Sequence, residues 1–442
     1  MIIGVALASW AMPNQSQALV DTGSGVIKLE VTTSGTYDSY MIGTPDYGSD
    51  FIGAIHPQLR YNHLIGPTEF EVYGGVTYNR FQHYKMFNSE DFSGGISSNF
   101  PVHEGSRLTG NVSASYVEAT EVDQALNDRV PTRTGTLALT SAYQAGLKTT
   151  LADTVSYSQV ERQIYGTQIL WDNEFKYSYA NFLENTNLDL THRFTRTQSD
   201  ASNYSSWSYD PGQADTVPNS ALDQYANSLW ASLSHPVYGQ IIGEASYGYT
   251  WLHRSASETT SGVTDTRTSI VSFTLRGPFL PPARYPKLES SASISYEQNV
   301  SPGINDTGEK TITGHIDLAW NARERTRVSI DALRSQSLAS NNFTVVTTEM
   351  NAGVTENIGL ATVLSGKVSY TWLTYRGITR NDELFSAYVG LHHPLTQRWS
   401  VGADYTFEST KSDAPQDSFQ GASHAPHDYF RHVVVLSISC VY

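Results

Sequence analysis

The sequence has almost no cysteine, no long apolar run and an excess of acidic over basic residues. Its 442 residues include a single cysteine, Cys440, which excludes an intrachain disulfide framework and a cysteine-rich metal site. No stretch of about 20 consecutive apolar residues occurs, so helical membrane spans are excluded. Lysine and arginine number 28 against 43 acidic residues, and the net charge of −15 argues against nucleic acid as a partner.

Sequence motifs of catalysis are also missing. Gly243–Gly248 (GEASYG) does not match a nucleophile elbow, because it lies within a predicted strand rather than at a strand-to-helix turn. No glycine-rich phosphate loop occurs at a strand–helix junction. His424, His427 and Asp428 are close in sequence, but their spacing is too loose to predict a metal site. We therefore predict no catalytic, cofactor-binding or metal-binding residues and no enzymatic activity, and a surface hydrolase is the weakest alternative.

Most of the chain after residue 25 instead alternates with a period of two. In the segment 398–408, one face of an extended strand carries Trp399, Val401, Ala403, Tyr405 and Phe407. The other face carries serine, glycine, threonine and charged residues. Counting such segments predicts about 20 strands, with about 18 as the alternative.

The predicted connections alternate between short and long. Short ones include Gly66-Pro67 and Leu395-Thr396, whereas long polar ones include 42–50 and 411–428. In transmembrane β-barrels the turns at one end are short and the loops at the other end are longer. The sequence therefore predicts an all-β fold, a single transmembrane antiparallel up-and-down β-barrel over residues 26–442. Two or three fused soluble β-domains are the alternative.

Residues 1–25 precede the predicted barrel and have the pattern of a signal-like or disordered segment. Ile2 to Met12 is an apolar stretch with the length of a signal-peptide core, and Ser16-Gln17-Ala18 fits a cleavage site. No lysine or arginine precedes the apolar stretch, which departs from the usual signal. A signal peptide would agree with export in a Gram-negative bacterium.

The chain ends on an alternating strand whose last residue is aromatic. One face of this strand carries Val434, Leu436, Ile438, Cys440 and Tyr442. In a closed barrel the last strand pairs with the first and leaves no exposed sheet edge. These five residues also resemble the C-terminal signal that bacterial outer-membrane barrels present to the barrel-insertion machinery. We predict that machinery and outer-membrane lipids as partners, and the cell outer membrane as the location.

The polar face of each strand would line the lumen, because the apolar face must meet lipid. Strand parity alone predicts as lumen-facing Arg60, Arg107, Glu174, Lys176, Arg193, His315, Asp317, Lys367 and Asp404. A barrel of about 20 strands implies a wide lumen, unless a loop such as 200–223 narrows it. Aromatic residues near the strand ends, such as Trp251 and Trp372, predict girdles at the lipid–water boundaries.

Four segments are similar to a known family. They are TYDSY at Thr36–Tyr40, SDFIGAIHPQLRY at Ser49–Tyr61, FEVYGGVTYNRF at Phe70–Phe81 and DYFRHVVVLSISCVY at Asp428–Tyr442. They resemble the outer-membrane family called putative beta-barrel porin, type 2. The terminal Tyr442, where phenylalanine is commoner, and Cys440, where a larger residue is usual, depart from the family pattern. The resemblance implies a barrel without catalytic residues and an association with exopolysaccharide secretion.

The sequence as a whole thus predicts an outer-membrane barrel that forms a polar pore for a hydrophilic solute. Exopolysaccharide export is the expectation that the resemblance adds, with a polysaccharide and a periplasmic export partner as the further partners to test. A structural or adhesive surface barrel without an open pore is the alternative.

Overall fold

The computed structural model describes most of the chain beyond the N-terminal segment and the larger loops. The described residues are 20–21, 23, 25–41, 48–101, 105–123, 128–162, 166–200, 222–256, 265–280, 285, 287–301, 305–338, 344–359, 361–376, 380–413 and 428–442. No helix within these ranges has the length and apolar character needed to cross a membrane. Residues 1–19 lie outside them, so the predicted division between a signal-like segment and the barrel stays a prediction.

The described residues form 21 strands of one sheet. The first eleven are β1 (Val20–Asp21), β2 (Gly25–Asp38), β3 (Asp50–Ile65), β4 (Thr68–Phe81), β5 (Ser89–Phe100), β6 (Leu108–Asp123), β7 (Asp128–Gln144), β8 (Thr149–Arg162), β9 (Gly166–Leu183), β10 (Thr186–Asp200) and β11 (Leu222–Tyr238). The others are β12 (Ile241–Ala256), β13 (Thr266–Arg276), β14 (Leu288–Ser301), β15 (Asn305–Asn321), β16 (Thr326–Leu338), β17 (Thr344–Ile358), β18 (Thr362–Arg376), β19 (Arg380–Pro394), β20 (Trp399–Ser412) and β21 (Tyr429–Val441).

The last strand closes the sheet by pairing with β2. Asp38 pairs with Val433, and Leu29 and Tyr442 exchange two backbone N–H···O bonds of 2.8 Å. Every strand from β2 onward pairs antiparallel with its sequence neighbours, so β2–β21 form a closed up-and-down barrel of 20 strands. The short β1 pairs with β2 as an extra strand. The predicted all-β barrel of about 20 strands is confirmed, and the alternative count of about 18 is wrong.

The strand register sorts side chains onto an apolar face and a polar face. Between β20 and β21, Tyr405 pairs with Val434 on the apolar face, and Ser400 pairs with Ser439 on the polar face. The apolar face leaves large side chains uncovered, and Leu436 is 60% exposed. Rows of exposed apolar side chains around a closed barrel suit contact with lipid rather than water.

A small buried apolar cluster lies at one end of the barrel. Met41, Phe81 and Phe87 are buried together, with Ile52 and Tyr84 packed against them. Phe87 belongs to a 3-10 helical turn that follows β4, so the cluster fastens this connection to the barrel wall.

The connections sort by length to the two ends of the barrel. Short turns join β3 to β4 and β9 to β10, where Gly66 (φ 60°) and Asn185 (φ 54°) adopt the left-handed backbone that tight hairpin turns require. Longer connections, including 201–221 and 414–427, join strands at the opposite end. We call these the short-turn end and the long-loop end. Both Gly25, where β2 begins, and Tyr442 lie at the short-turn end.

Candidate functional site on the polar face of the barrel

Strands β9 and β10 carry a ladder of ion pairs on the polar face. Arg193 donates from Nε and Nη2 to the two carboxylate oxygens of Asp172, both at 2.8 Å. Lys176 Nζ lies 3.0 Å from Asp189 Oδ2, and Glu174 is the register partner of Arg193. The side chains of this ladder stay partly exposed, so the pairs give the face its charge more than they stabilise the fold. The structure thus brings together the predicted residues Glu174, Lys176 and Arg193.

Arg60 lies on the polar face of β3. Its Nη1 is 3.3 Å from Glu71 Oε1, and its guanidinium carbon lies 6.0 Å from the centre of the Tyr73 ring. Tyr73 in turn pairs with Gly95, where an added Cβ would come within 2.8 Å of the ring. The ring therefore lies against the backbone of the neighbouring strand, in space that only a glycine leaves open.

A second aromatic ring lies against a glycine on the polar face of β11. Trp230 pairs with Gly248, where an added Cβ would come within 2.5 Å of the indole. On the same face, Ser228 and Thr250 share a hydrogen bond of 2.8 Å. The sequence analysis did not single out this tryptophan, because only the register shows that a glycine stands opposite it. We call the pairs Tyr73/Gly95 and Trp230/Gly248 the aromatic platforms.

His315 and Asp317 lie in an acidic part of the polar face on β15. His315 Nε2 is 2.5 Å from Asp331 Oδ2, and Asn351 donates to Asp331 Oδ1 at 3.1 Å and to Glu349 Oε1 at 2.8 Å. Asp317 is the register partner of Asp331, so two carboxylates face each other across adjacent strands. Among the described residues, no three histidine, cysteine or acidic side chains are arranged to hold a metal ion.

Asp404 and Lys367 lie on neighbouring parts of the polar face. Asp404 accepts a hydrogen bond of 2.6 Å from the Tyr388 hydroxyl, and its Oδ1 lies 3.0 Å from His392 Nε2. Lys367 on β18 is the register partner of Tyr388. Tyr388 therefore links the two predicted residues, although no contact between Lys367 and Asp404 is formed in this part of the structure.

Arg107 differs from the other predicted residues because it is not part of a strand. The predicted strand began at this residue, whereas β6 begins at Leu108. Arg107 is exposed at the short-turn end, and its carbonyl accepts a hydrogen bond of 2.7 Å from the Gln144 backbone. Strand parity therefore does not determine whether its side chain faces the lumen or the lipid. Whether any of the nine residues contacts a solute stays a prediction.

An ion cluster at the barrel seam was missed by the sequence analysis. Arg431 Nε and Nη2 donate to the two oxygens of Asp38 at 3.0 and 2.7 Å, and Nη1 donates to Glu408 at 3.1 Å. Asp38 is only 3% exposed. These three residues, the closure cluster, join the first and last barrel strands. Asp38 and Arg431 are 393 positions apart, so only the closing register could have revealed the pair.

The long-loop rim holds further carboxylates close to the seam. Arg380 Nη2 donates to Asp382 at 2.6 Å on β19. Asp413, just after β20, accepts a hydrogen bond of 2.9 Å from the Asn381 side chain. That side chain and the Asn381 backbone N–H together hold the pKa of Asp413 below its ordinary value.

The predicted assembly signal is mostly exposed on the apolar face. The exposed members are Val434, Leu436, Ile438 and Tyr442. Cys440 is buried, with Trp399 and Val31 as its register partners. Recognition of these residues by the insertion machinery stays a prediction. The predicted pore-narrowing loop and the histidines at 424 and 427 lie outside the described residues, apart from the ends of that loop.

The closed barrel with an apolar outer face is the fold of outer-membrane porins and transport barrels. The FrpB iron transporter from Neisseria meningitidis superimposes with a TM-score of 0.56 at 9% identity, covering 94% of this chain and 82% of that one. The ferric enterobactin receptor PfeA from Pseudomonas aeruginosa gives a TM-score of 0.54 at 10% identity, covering 94% and 80%. The ferric-catecholate import receptor Fiu from E. coli gives 0.54 at 10% identity, covering 96% and 82%. These likenesses show the fold alone.

The sequence also matches a named family over part of its length. The sequence model of the family described as "Putative beta-barrel porin 2" matches residues 304–424, a range that includes β15 to β20. This match confirms the resemblance that the sequence analysis predicted, although the segments that suggested it, 36–81 and 428–442, lie outside the matched range. No curated protein matches the chain. The family and the similar structures are porins and transport proteins, not enzymes.

Proposed function

We propose that the protein forms a water-filled pore through which a hydrophilic solute crosses the outer membrane passively. The observation that carries this proposal is the solvent-open ladder of ion pairs on β9 and β10, on the face opposite the exposed apolar side chains. Charged side chains in the middle of a strand are costly where they meet lipid, which supports a wet lumen on the polar face. Barrels of about 16–18 strands already leave a water channel, and a larger barrel leaves more room.

The solute in this proposal is a saccharide chain, in keeping with a family associated with exopolysaccharide secretion. The aromatic platforms support it, because Tyr73 and Trp230 each lie against a glycine on the polar face. The flat apolar face of a sugar ring can stack on such a ring, and its hydroxyls can donate to carboxylates such as Asp172 and Asp189. The described polar face carries charges of both signs, which suit a long neutral or weakly charged chain better than a small apolar ligand.

Single-channel recording in planar bilayers tests the pore. The full chain should open stepwise channels, and a soluble neutral oligosaccharide should reduce their current in a concentration-dependent way. Trp230→Ala should weaken this block by about fivefold, as expected when one stacking contact is lost. Trp251→Ala is the matched control, because Trp251 is exposed on the apolar face and should leave the block unchanged.

The outcomes separate the proposals. A correctly folded barrel that opens no channel would support the structural or adhesive alternative instead. Channels that no oligosaccharide blocks would retain the pore and overturn the saccharide assignment. Equal loss of block in the two tryptophan variants would show that the aromatic platforms do not bind the oligosaccharide.

A further inference from the structure

The outer wall of β13–β16 combines an apolar surface with three basic residues. Val271 pairs with Tyr296, and Tyr296 pairs with Ile312, so these exposed residues share the apolar face. Arg267 lies four positions from Val271, and Lys310 lies two positions from Ile312. Because side chains alternate along a strand, both basic residues project from the same face as the apolar ones.

Arg334 belongs to the same surface. It lies four positions from Ile330, which is exposed on the apolar face of β16. Arg334 pairs with Gly314, which is four residues nearer the short-turn end than Lys310. Arg334 therefore lies deepest towards the middle of the barrel wall, and Arg267 and Lys310 lie closer to the long-loop end. We call these three residues the basic patch.

The basic patch is exposed and lacks carboxylate partners. All three side chains are exposed. The Arg334 side chain donates to the Thr348 hydroxyl at 3.0 Å, and the side chains of Arg267 and Lys310 form no hydrogen bond or ion pair with another described side chain. Within β13–β16, none of the side chains described on the apolar face is acidic. The carboxylate nearest in sequence to Arg267 is Asp265, just before β13, and it lies 2.7 Å from His253 Nδ1. A cation beside lipid is costly unless an anion compensates it. We therefore expect an anion from outside the chain to bind the patch.

Other outward-facing arginines show that this lack of partners is local. Arg80 lies 2.6 Å from Glu90, and Arg196 lies 2.7 Å from Asp223. A third, Arg133, lies 3.2 Å from Glu118. These paired arginines lie on other parts of the apolar face near the long-loop end, and their own neighbours already neutralise them.

We propose that the basic patch binds the phosphate groups of a phosphorylated glycolipid in the surrounding leaflet. Strand spacings place the Cα atoms of Arg267 and Lys310 about 12 Å apart and those of Lys310 and Arg334 about 14 Å apart. Such spacing suits a headgroup with more than one phosphate, and long basic side chains can extend from an apolar surface to reach it. Ile294 and Ile312, 56% and 58% exposed, lie on the same face where the acyl chains would pack.

Native mass spectrometry of the full chain in detergent, titrated with lipid A carrying two phosphates, tests the assignment. The triple variant Arg267→Gln, Lys310→Gln and Arg334→Gln should bind this lipid on the order of a hundredfold more weakly, since each basic residue near an anionic surface contributes about fivefold. A variant with lysine at both arginine positions keeps the charge and should retain most of the affinity. Heat modifiability on gels should show that every variant is folded.

The matched control replaces the paired arginines, with Arg80→Gln, Arg133→Gln and Arg196→Gln combined, and should change lipid binding by less than about threefold. Dephosphorylated lipid A should bind the unaltered protein as weakly as the patch variant binds the phosphorylated form. Equal loss in control and patch variants, or unchanged binding by the patch variant, would overturn the proposal. Equally tight binding of phosphatidylglycerol would overturn the glycolipid as the source of the phosphate. Channel conductance should be the same in all variants, so this result is independent of the proposed pore.

Discussion

Replacement of Asp38 by asparagine tests whether the closure cluster helps to lock the barrel. Asn has the same shape as Asp but carries no charge, so it removes the ion pair with Arg431 while leaving the β2–β21 backbone pairing intact. The two donors of Arg431 now lie 2.7 and 3.0 Å from the Asp38 oxygens. We expect the barrel to become less stable without changing its fold.

The size of the effect follows from the burial of the two groups. The Asp38 side chain is 4% exposed, whereas the Arg431 side chain is 29% exposed. Breaking a fully buried pair from one side costs about 3–5 kcal/mol, and an exposed pair contributes about 0–1 kcal/mol. Glu408 remains 3.1 Å from Arg431 and keeps it compensated. We therefore expect the free energy of unfolding to fall by about 2 kcal/mol.

Urea unfolding of the barrel in lipid vesicles, followed by tryptophan fluorescence, measures this change. A double-mutant cycle with Arg431→Gln isolates the pairwise interaction, whose coupling energy should be about 1–2 kcal/mol. The exposed pair Arg80–Glu90, with side chains 50% and 53% exposed, is the control and should give a coupling below about 0.5 kcal/mol. A closure coupling as small as the control would refute the reasoning, because burial would then make no difference at the seam.

Three further predictions concern assembly, selectivity and the two faces. Tyr442→Ser should lower outer-membrane levels of the barrel yet leave the urea midpoint of refolded protein nearly unchanged, because the Leu29 contacts of residue 442 are made by its backbone. Asp172→Asn combined with Asp189→Asn should shift the reversal potential in a potassium chloride gradient towards anion preference, and the shift should shrink as salt rises. Spin labels at 399 and 404 should show the greater oxygen accessibility at Trp399, and the reverse order would invert the two faces.

The alternation of side chains made the barrel predictable from sequence, because a period of two needs only local information. Tyr405 and Asp404 are adjacent in sequence and project to opposite faces, as the pattern predicts. Closure could also be anticipated, since a terminal alternating strand leaves an edge that a barrel removes. What parity cannot supply is the register between strands, because that depends on turn geometry and bulges.

The missing register explains what the sequence analysis overlooked. Arg193 was singled out by parity, but its bidentate partner Asp172 lies 21 positions away and meets it only because β9 and β10 pair as they do. The platform of Trp230 depends in the same way on a glycine in the next strand. Arg107 shows a different limit of sequence-based prediction. The strand begins one residue later than predicted, and strand parity cannot assign a residue outside the strand to a face.

The net charge of −15 illustrates why a whole-chain average is a poor guide to partners in a barrel. The average argues against anionic partners such as nucleic acid, and it merges two faces that contact different phases. Once parity assigns side chains to faces, the described outer wall of β13–β16 is locally positive although the whole chain is negative. Electrostatic potential is screened within about 8 Å at physiological salt, so an anion at this wall responds to Arg267 and Lys310 more than to carboxylates on other parts of the barrel. A strongly acidic barrel can therefore present a binding surface for phosphate, and the relevant charge is that of the face and not of the chain.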